Sequence, residues 1–386
     1  MPKTLIKNIG TLISGDITQP ILAADAILVE DANITRIGML SELEPAGAEI
    51  LVDAAGSTVA PGLIDSHCHV VLGDYTPRQK QVGFLESEVH GGVTTIISAG
   101  EVHLPGRPKD PAGTKALAIL AAKSFANFRP GGAKVLGGAV ILEKGLTEQD
   151  FEEMAREGVR IVGEIGLGSV KSPEDAAPMV RWAKKCGMTV LMHTGGTSIP
   201  GSDTVTADQV IGADPHVACH VNGGPTAVSV QEIKKLVCDT VYALELVHCG
   251  NPKATVEALK LGLEHKALDR FIIGNDAPSG TGVVPLGILR VICMAASLTA
   301  VTPEQALCMA TGNTARVFGL HTGFVKEGLP ADLVAMDAPM GSVGTDALQA
   351  IAAGDIPGVS MVMIDGKIEV TTSRNTPPAR RKARVG

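Results

Sequence analysis

The chain has 386 residues, 45% of them hydrophobic, 19% charged and only 3% aromatic, so a sizeable core of Val, Ile, Leu, Ala and Met is available and disorder is excluded. The length exceeds one ordinary core and suits a barrel-sized domain with a smaller satellite. A net charge of −8 and a pI near 5.7 leave no basic footprint for nucleic acid and no polybasic surface for a membrane.

The opening MPKTLIKNIGTLISGD lacks the apolar stretch of a signal peptide, and no run of about 18 apolar residues suggests a membrane helix. Seven cysteines, at 68, 186, 219, 238, 249, 293 and 308, are odd in number and form no C-x-x-C pair. They read as reduced thiols, and the chain as cytoplasmic. Residues 1–60 alternate β-branched runs with turns (TLIKNIGTLI, DAILVEDANITRIG, AEILVDAAGSTVAPG), the pattern of a small sheet.

Over 61–322 the rhythm changes to apolar runs followed by helical stretches. PGLIDSHCHV, GGVTTIISAG, AKVLGGAVIL, VRIVGEIGLG, MTVLMHTGG, VACHVNGG, YALELVHCG and RFIIGNDAP read as strands, with PEDAAPMVRWAKKCG and NPKATVEALKLGLEHKALDR among the intervening helices. Repeated β then α predicts an α/β fold, a (β/α)₈ TIM barrel. Over 323–386 short strands return in FVKEGLPADLVAMDAP and GVSMVMIDGKIEV, so a small β-sandwich domain is expected from both chain ends. The Pro-rich, basic SRNTPPARRKARVG reads as a frayed tail.

In a strand, residues i and i+2 share a face, so His67 and His69 point one way and Cys68 the other. Glu164, His193, His220 and Asp276 follow at separations of 29, 27 and 56 residues, one or two βα units each. Equivalent heights in successive repeats place them at the C-terminal mouth, where four imidazoles and two carboxylates suffice for two divalent ions. His248 lies 28 residues from both His220 and Asp276 and tops the seventh strand; it reads equally as a substrate contact or a hydrogen-bonded histidine behind the ligands. Cys68 and Cys219 adjoin ligand histidines, yet alternation turns both away into packing. GEIGLG has the wrong glycine order for a dinucleotide loop. Tyr75, Arg78, Arg107, Thr194, Thr197 and Asn222 lie in mouth loops within reach of a carboxylated substrate, Thr194 and Asn222 being candidate substrate contacts with His248, while His103 reads as a solvent-facing loop histidine.

PGLIDSHCH, the single histidines ending the fifth and sixth strands, GND at the eighth, and ATGNTARVFGL followed by GFVKEGLPADLVAMD resemble the amidohydrolase superfamily across nearly the whole chain. The resemblance implies a metal-dependent hydrolase in which metal-activated hydroxide attacks an amide, ester or amidine carbon. His67 and His69 would hold one ion, His193 and His220 the other, and Asp276 would be both ligand and proton carrier. The commonest binuclear members bridge the ions with a carboxylated lysine on the fourth strand; here Glu164 stands there, with no lysine before Lys171. Two carboxylate oxygens serve two cations equally well, and the mixed donors admit Zn²⁺, Fe²⁺ or Mn²⁺. This Glu, length and flanking segments resemble the branch that opens cyclic enamides or lactams such as 6-oxo-1,4,5,6-tetrahydronicotinate to 2-formylglutarate and ammonia. That branch implies a Zn²⁺/Fe²⁺ pair, with Zn²⁺/Zn²⁺ as the alternative. Competing readings are a dihydroorotase- or hydantoinase-like cyclic amidase, a one-metal ring deaminase and a non-catalytic relative. The mean hydropathy of +0.23 is high for a soluble chain and predicts a homo-oligomer, with a tetramer expected.

Overall fold

The computed structural model describes residues 3–43, 47–70, 72, 83–102, 104, 106–197, 203–224, 226, 228–278 and 284–386. The eight apolar runs are strands: Leu63–Cys68, Val93–Ser98, Lys134–Leu136, Ile161–Ile165, Thr189–Met192, Val217–Ala218, Ala243–Val247 and Phe271–Gly274. They are parallel and paired in two groups, the first three and the last five. Parallel bridges from Val140 to Val162 and from Cys68 to Ala277 close both seams, so the sheet forms a barrel of the TIM type.

A helix follows each strand: Phe84–His90, Pro111–Asn127, Glu148–Arg156, Pro173–Lys185, Ala207–Ala213, Val230–Asp239, Pro252–Glu264 and Gly287–Leu298. Their starts are written in the sequence. Asp110, Ser172 and Asn251 each accept hydrogen bonds from backbone N–H groups of the first turn, and each precedes a proline at the first helical position. Two strands are shorter than their apolar runs. The third stops at the Gly137-Gly138 pair and the sixth at Ala218, because the chain leaves the sheet one residue before Cys219-His220.

Inside the barrel, Ile64, Ile97, Ala99, Ile161, Leu191, Val217, Cys219, Ala243 and Ile272 share one buried cluster with Ala315 and Phe318 of the Thr314–Phe318 helix. At about 1.5–3 kcal/mol per large aliphatic side chain buried, this plug stiffens the strands that carry the mouth.

Two further sheets flank the barrel. One joins Thr4–Lys7, Ala26–Glu30, Asn33–Gly38, Ile50–Asp53 and Arg384–Val385; the other joins Thr11–Ile13, Ile21–Leu22, Thr58–Pro61, Leu333–Asp337, Gly358–Ile364 and Lys367–Val370. Ile6, Ile27 and Val52 of the first sheet and Leu12, Val59, Leu333 and Met361 of the second belong to one apolar cluster.

The expectation of a frayed C-terminal tail is overturned. Residues 371–386 form a strap whose last strand pairs antiparallel with Ile50–Asp53. Arg381 grips the buried Asp337 carboxylate through Nε at 2.9 Å and Nη2 at 2.6 Å, and its backbone N–H donates to the same carboxylate at 2.8 Å. Nearer its start, Ser373 Oγ donates to His90 O at 2.7 Å, Asn375 Nδ2 to Ser87 O at 2.9 Å, and Arg374 pairs with Glu86 at 3.0 Å. Two of the basic residues that suggested solvation, Arg374 and Arg381, are halves of ion pairs whose acidic partners lie far away in sequence. Replacing Arg381 with Ala leaves Asp337 buried without its cation. The expected loss is about 3 kcal/mol of stability, read as a lower midpoint in urea unfolding, with Arg380→Ala as the near-neutral control.

Candidate metal centre

His67, His69, Glu164, His193, His220 and Asp276 come together at the C-terminal mouth, and all six are buried. The route differs from simple strand alternation. The first strand ends at Cys68 and its pairing with the second shifts register between Asp65 and Cys68. His69 lies just past the strand, held by its N–H donating to Ala277 O at 2.8 Å. His220 and Asp276 both take left-handed backbone, with φ of 33° and 56°. Non-glycine residues hold that region at a cost of order 1–3 kcal/mol, a strain typical of functional positions. The left-handed turn swings His220 inward although it follows Cys219 directly.

Cys219 accordingly does not turn away from the centre. It lines the barrel interior beside His67 and Glu245, while burial and then the Glu245 charge push its thiol well above the usual range. It packs as a neutral thiol. Cys68 does face the barrel-to-helix layer as expected.

Each imidazole has one nitrogen pinned by an acceptor outside the centre. His67 Nδ1 lies 2.7 Å from Glu245 Oε2, His69 Nδ1 3.2 Å from Gly100 O, His220 Nδ1 3.0 Å from Thr194 O, and His193 Nε2 3.1 Å from Gly196 O. Acceptors at those positions require N–H there, which turns the other nitrogen of each ring inward, where it can hold a proton toward a carboxylate or offer a lone pair to a cation. These inward nitrogens face one another and the carboxylates. His67 Nε2 and His69 Nε2 are 3.3 Å apart. Glu164 Oε2 lies 3.7 Å from each, and Asp276 Oδ1 3.3 Å from His69 and 3.7 Å from His67. On the other side Glu164 Oε1 meets His193 Nδ1 at 2.8 Å and also touches His220 Nε2. Glu164 therefore presents one oxygen to each histidine pair. His67 with His69 and Glu164, and Glu164 with His193 and His220, each bring their donor atoms within 4.8 Å of one another. Two imidazoles and a carboxylate oxygen converging on each side form a donor set of the type and spacing that fits a cation there.

The ionisation states agree with that chemistry. Burial acts to raise the Glu164 carboxyl, but His220, His193 and His67 outweigh it and hold it well below the usual range. Asp276 is likewise held down, its burial overcome by His69, His67 and His220. Both remain anionic.

Among the candidate substrate residues, Thr194 is buried and its Oγ1 finds no hydrogen-bond partner among the described residues. His248 is half-buried beyond the seventh strand and outside both donor sets; burial, then Arg290, lowers its pKa and keeps it neutral near pH 7. Asn222 is corrected. Its Nδ2 donates to Val247 O and Thr255 Oγ1, each at 2.9 Å, and its Oδ1 accepts from Val247 N–H at 3.1 Å, so its amide braces the seventh strand and is not available to substrate. Arg107 is engaged by Glu143 at 2.9 Å. Thr197 is exposed on a cleft of about 540 Å³ lined also by Gly195, Gly196, Thr204 and Thr226. Tyr75, Arg78 and His103 lie outside the described residues.

Glu245 escaped the sequence reading. It is wholly buried in the middle of the seventh strand, binding Ser66 Oγ at 2.6 Å as well as His67. The available signal was a single carboxylate inside the apolar run ALELV, which a buried parallel strand does not carry without a partner. Glu101, at the end of the second strand, was also missed; burial lifts its carboxyl to about 7 against one bond from Leu72 N–H at 3.0 Å.

Comparison with known proteins agrees with this geometry. The profile of the amidohydrolase family matches residues 219–368. Enamidase of Eubacterium barkeri is 61% identical over 385 residues, covering 100% of both chains. A crystal structure of enamidase superposes with a TM-score of 0.97 over 100% of both chains at 61% identity. Imidazolonepropionase of Maricaulis maris is 24% identical over 86% of this chain and 91% of its own. A β-aspartyl dipeptidase of Fervidobacterium islandicum AW-1 shares the fold alone, with a TM-score of 0.69 at 17% identity over 96% of this chain and 98% of its own. On its full-length relationship, its barrel and its inward ring of histidines and carboxylates, the chain belongs to the amidohydrolase family.

Proposed function

We propose that this chain is an enamidase: a binuclear metal hydrolase that opens a cyclic enamide, 6-oxo-1,4,5,6-tetrahydronicotinate, to 2-formylglutarate and ammonia. The observation that carries the reading is Glu164 with one oxygen toward His67 and His69 and the other toward His193 and His220. His67, His69, Glu164 and Asp276 would hold one divalent ion and Glu164, His193 and His220 the second, with Zn²⁺ and Fe²⁺ as the proposed pair. Full-length identity of 61% to an enamidase supports the substrate.

When bound, such ions polarise the ring carbonyl and make water acidic enough to attack near neutral pH. The protein supplies the rest. Glu245 and the carbonyls of Gly100, Thr194 and Gly196 hold each imidazole in the tautomer that offers its lone pair inward. Asp276, kept anionic by the neighbouring histidines, takes a proton from the attacking water and returns it to the ring nitrogen as the C–N bond breaks. The released nitrogen is an enamine; after tautomerisation a second water displaces ammonia and leaves the aldehyde. The cleft at Gly195 and Gly196 is of a size for a small substrate, with Thr197 and Thr226 of its lining as proposed hydroxyl contacts for the carboxylate and Thr194, next to His193, as a further one.

The two flanking sheets are proposed to form a β-sandwich around their shared apolar cluster. A cytoplasmic homotetramer is proposed as the working form, supported by the mean hydropathy and by exposed apolar side chains such as Val241, Met340 and Val343.

Elemental analysis of anaerobically purified protein, joined to ammonia release from a panel of cyclic amides, tests the reading. Two equivalents of metal with turnover of the tetrahydronicotinate are expected; one equivalent with turnover of aminated purines or pyrimidines alone overturns it. Asp276→Asn should lower kcat about 10²- to 10⁴-fold. Glu245→Ala should weaken metal retention about 10- to 100-fold, measured by competition with a chelator.

A further inference from the structure

Asp276 holds a left-handed φ of 56°, and something must hold it there. Its N–H donates to His67 O at 2.8 Å. The stronger restraint is on its neighbour. Asn275 N–H donates to Asp65 Oδ1 at 2.9 Å, and Asn275 Nδ2 donates to Glu88 Oε1 at 2.8 Å and to Val284 O at 2.7 Å. One amide thus ties the end of the eighth strand to the helix Phe84–His90 on one side and to the segment entering Gly287–Leu298 on the other. Gly287 permits the close approach, since a Cβ there would stand 2.1 Å from Asn275 Oδ1.

Three oxygens of this trio, Asp65 Oδ2, Glu88 Oε2 and Asn275 Oδ1, are buried with no hydrogen-bond partner among the described residues. A buried polar atom left without a partner is destabilising, and all three are acceptors. A proton on Glu88 converts one of them into a donor. Burial, followed by the nearby Asp65 charge, does raise Glu88 well above the carboxylate range. The helix carrying Glu88 is itself fixed from outside by the C-terminal strap, through Ser87, His90 and Glu86.

We propose that Glu88 is a positioning residue for Asp276, acting as a neutral acid through the side chain of Asn275. The inference rests on the role given to Asp276 above, and its test reads position as well as rate. Hydrogen exchange of the segment 271–278 in metal-free protein should quicken at least tenfold in Glu88→Ala and in Asn275→Ser, and stay at the wild-type rate in the isosteric, neutral Glu88→Gln. In the loaded enzyme the first two variants should lose at least tenfold in kcat with KM within twofold, Glu88→Gln should keep wild-type kcat within threefold, and the double variant Glu88→Ala/Asn275→Ser should be no slower than either single one. Glu88→Gln as impaired as Glu88→Ala overturns the proposal, as do additive losses or wild-type exchange in Asn275→Ser. Should Glu88→Ala not fold, Glu88→Gln and Asn275→Ser decide alone. Wild-type enzyme that releases no ammonia sinks the substrate reading, while the exchange rates still decide this one.

Discussion

Four ring nitrogens turned toward one another and toward two ionised carboxylates, all sequestered from water, are the constraint around which the mouth of this barrel is organised. In the protein alone the carboxylates draw protons onto these rings, and Glu164 raises the His220 imidazole against its burial; every ring is pinned from behind. Three of the four pins are backbone carbonyls, at Gly100, Thr194 and Gly196, and the fourth is Glu245. A carbonyl cannot lose or gain a proton near neutral pH, so three tautomers are written into the main chain itself. Only His67 depends on a titratable partner. There burial opposes the charged ring, Glu245 more than compensates, and the ring is held well above its ordinary pKa. Cations binding there would displace the protons the rings hold.

Glu164 couples the two halves. A lysine carbamate spreads one negative charge over two oxygens, and a carboxylate does the same with a shorter reach, so the replacement keeps the charge and the two-sided geometry. The strand bearing Glu164 pairs in register with the next through Val162 and then shifts before Ile165. That irregularity falls at the position from which the carboxylate must reach both histidine pairs. Strain collects in the same place, in the left-handed backbone of His220 and Asp276. The barrel interior, packed with Ile, Leu, Val and Ala, supplies the rigidity that keeps these conformations from relaxing.

Beyond the centre, buried polar groups form a second ring that ties mouth to periphery. Asn222 clamps the seventh strand, Glu245 links the first and seventh, and Asn275 ties the eighth to the helices on either side. The C-terminal strap continues this outward, joining the flanking sheets to the first barrel helix through Ser373, Arg374 and Asn375. The satellite sheets are thus mechanically continuous with the rim of the mouth although they supply none of its six converging side chains.

Much of this was legible in the chain alone. Apolar runs alternating with stretches of helical period and a spacing near 28 residues are local properties, and they suffice for the barrel, its eight strands and the six converging side chains, because each repeat places its last residues at a similar height. What sequence could not decide depends on contacts between segments far apart. Cys219 lines the interior because the chain quits the strand at Ala218 and His220 turns left-handed, which no periodicity encodes. Asn222 became a brace because Val247 and Thr255 happen to lie against it. The tail became a strap because Asp337 waits for it 44 residues away in the chain, and Glu86 and Ser87 wait 288 residues away. Local pattern sets where donors stand along the chain; only the closed barrel determines which lone pair each one turns inward, since that choice is made by acceptors on neighbouring strands.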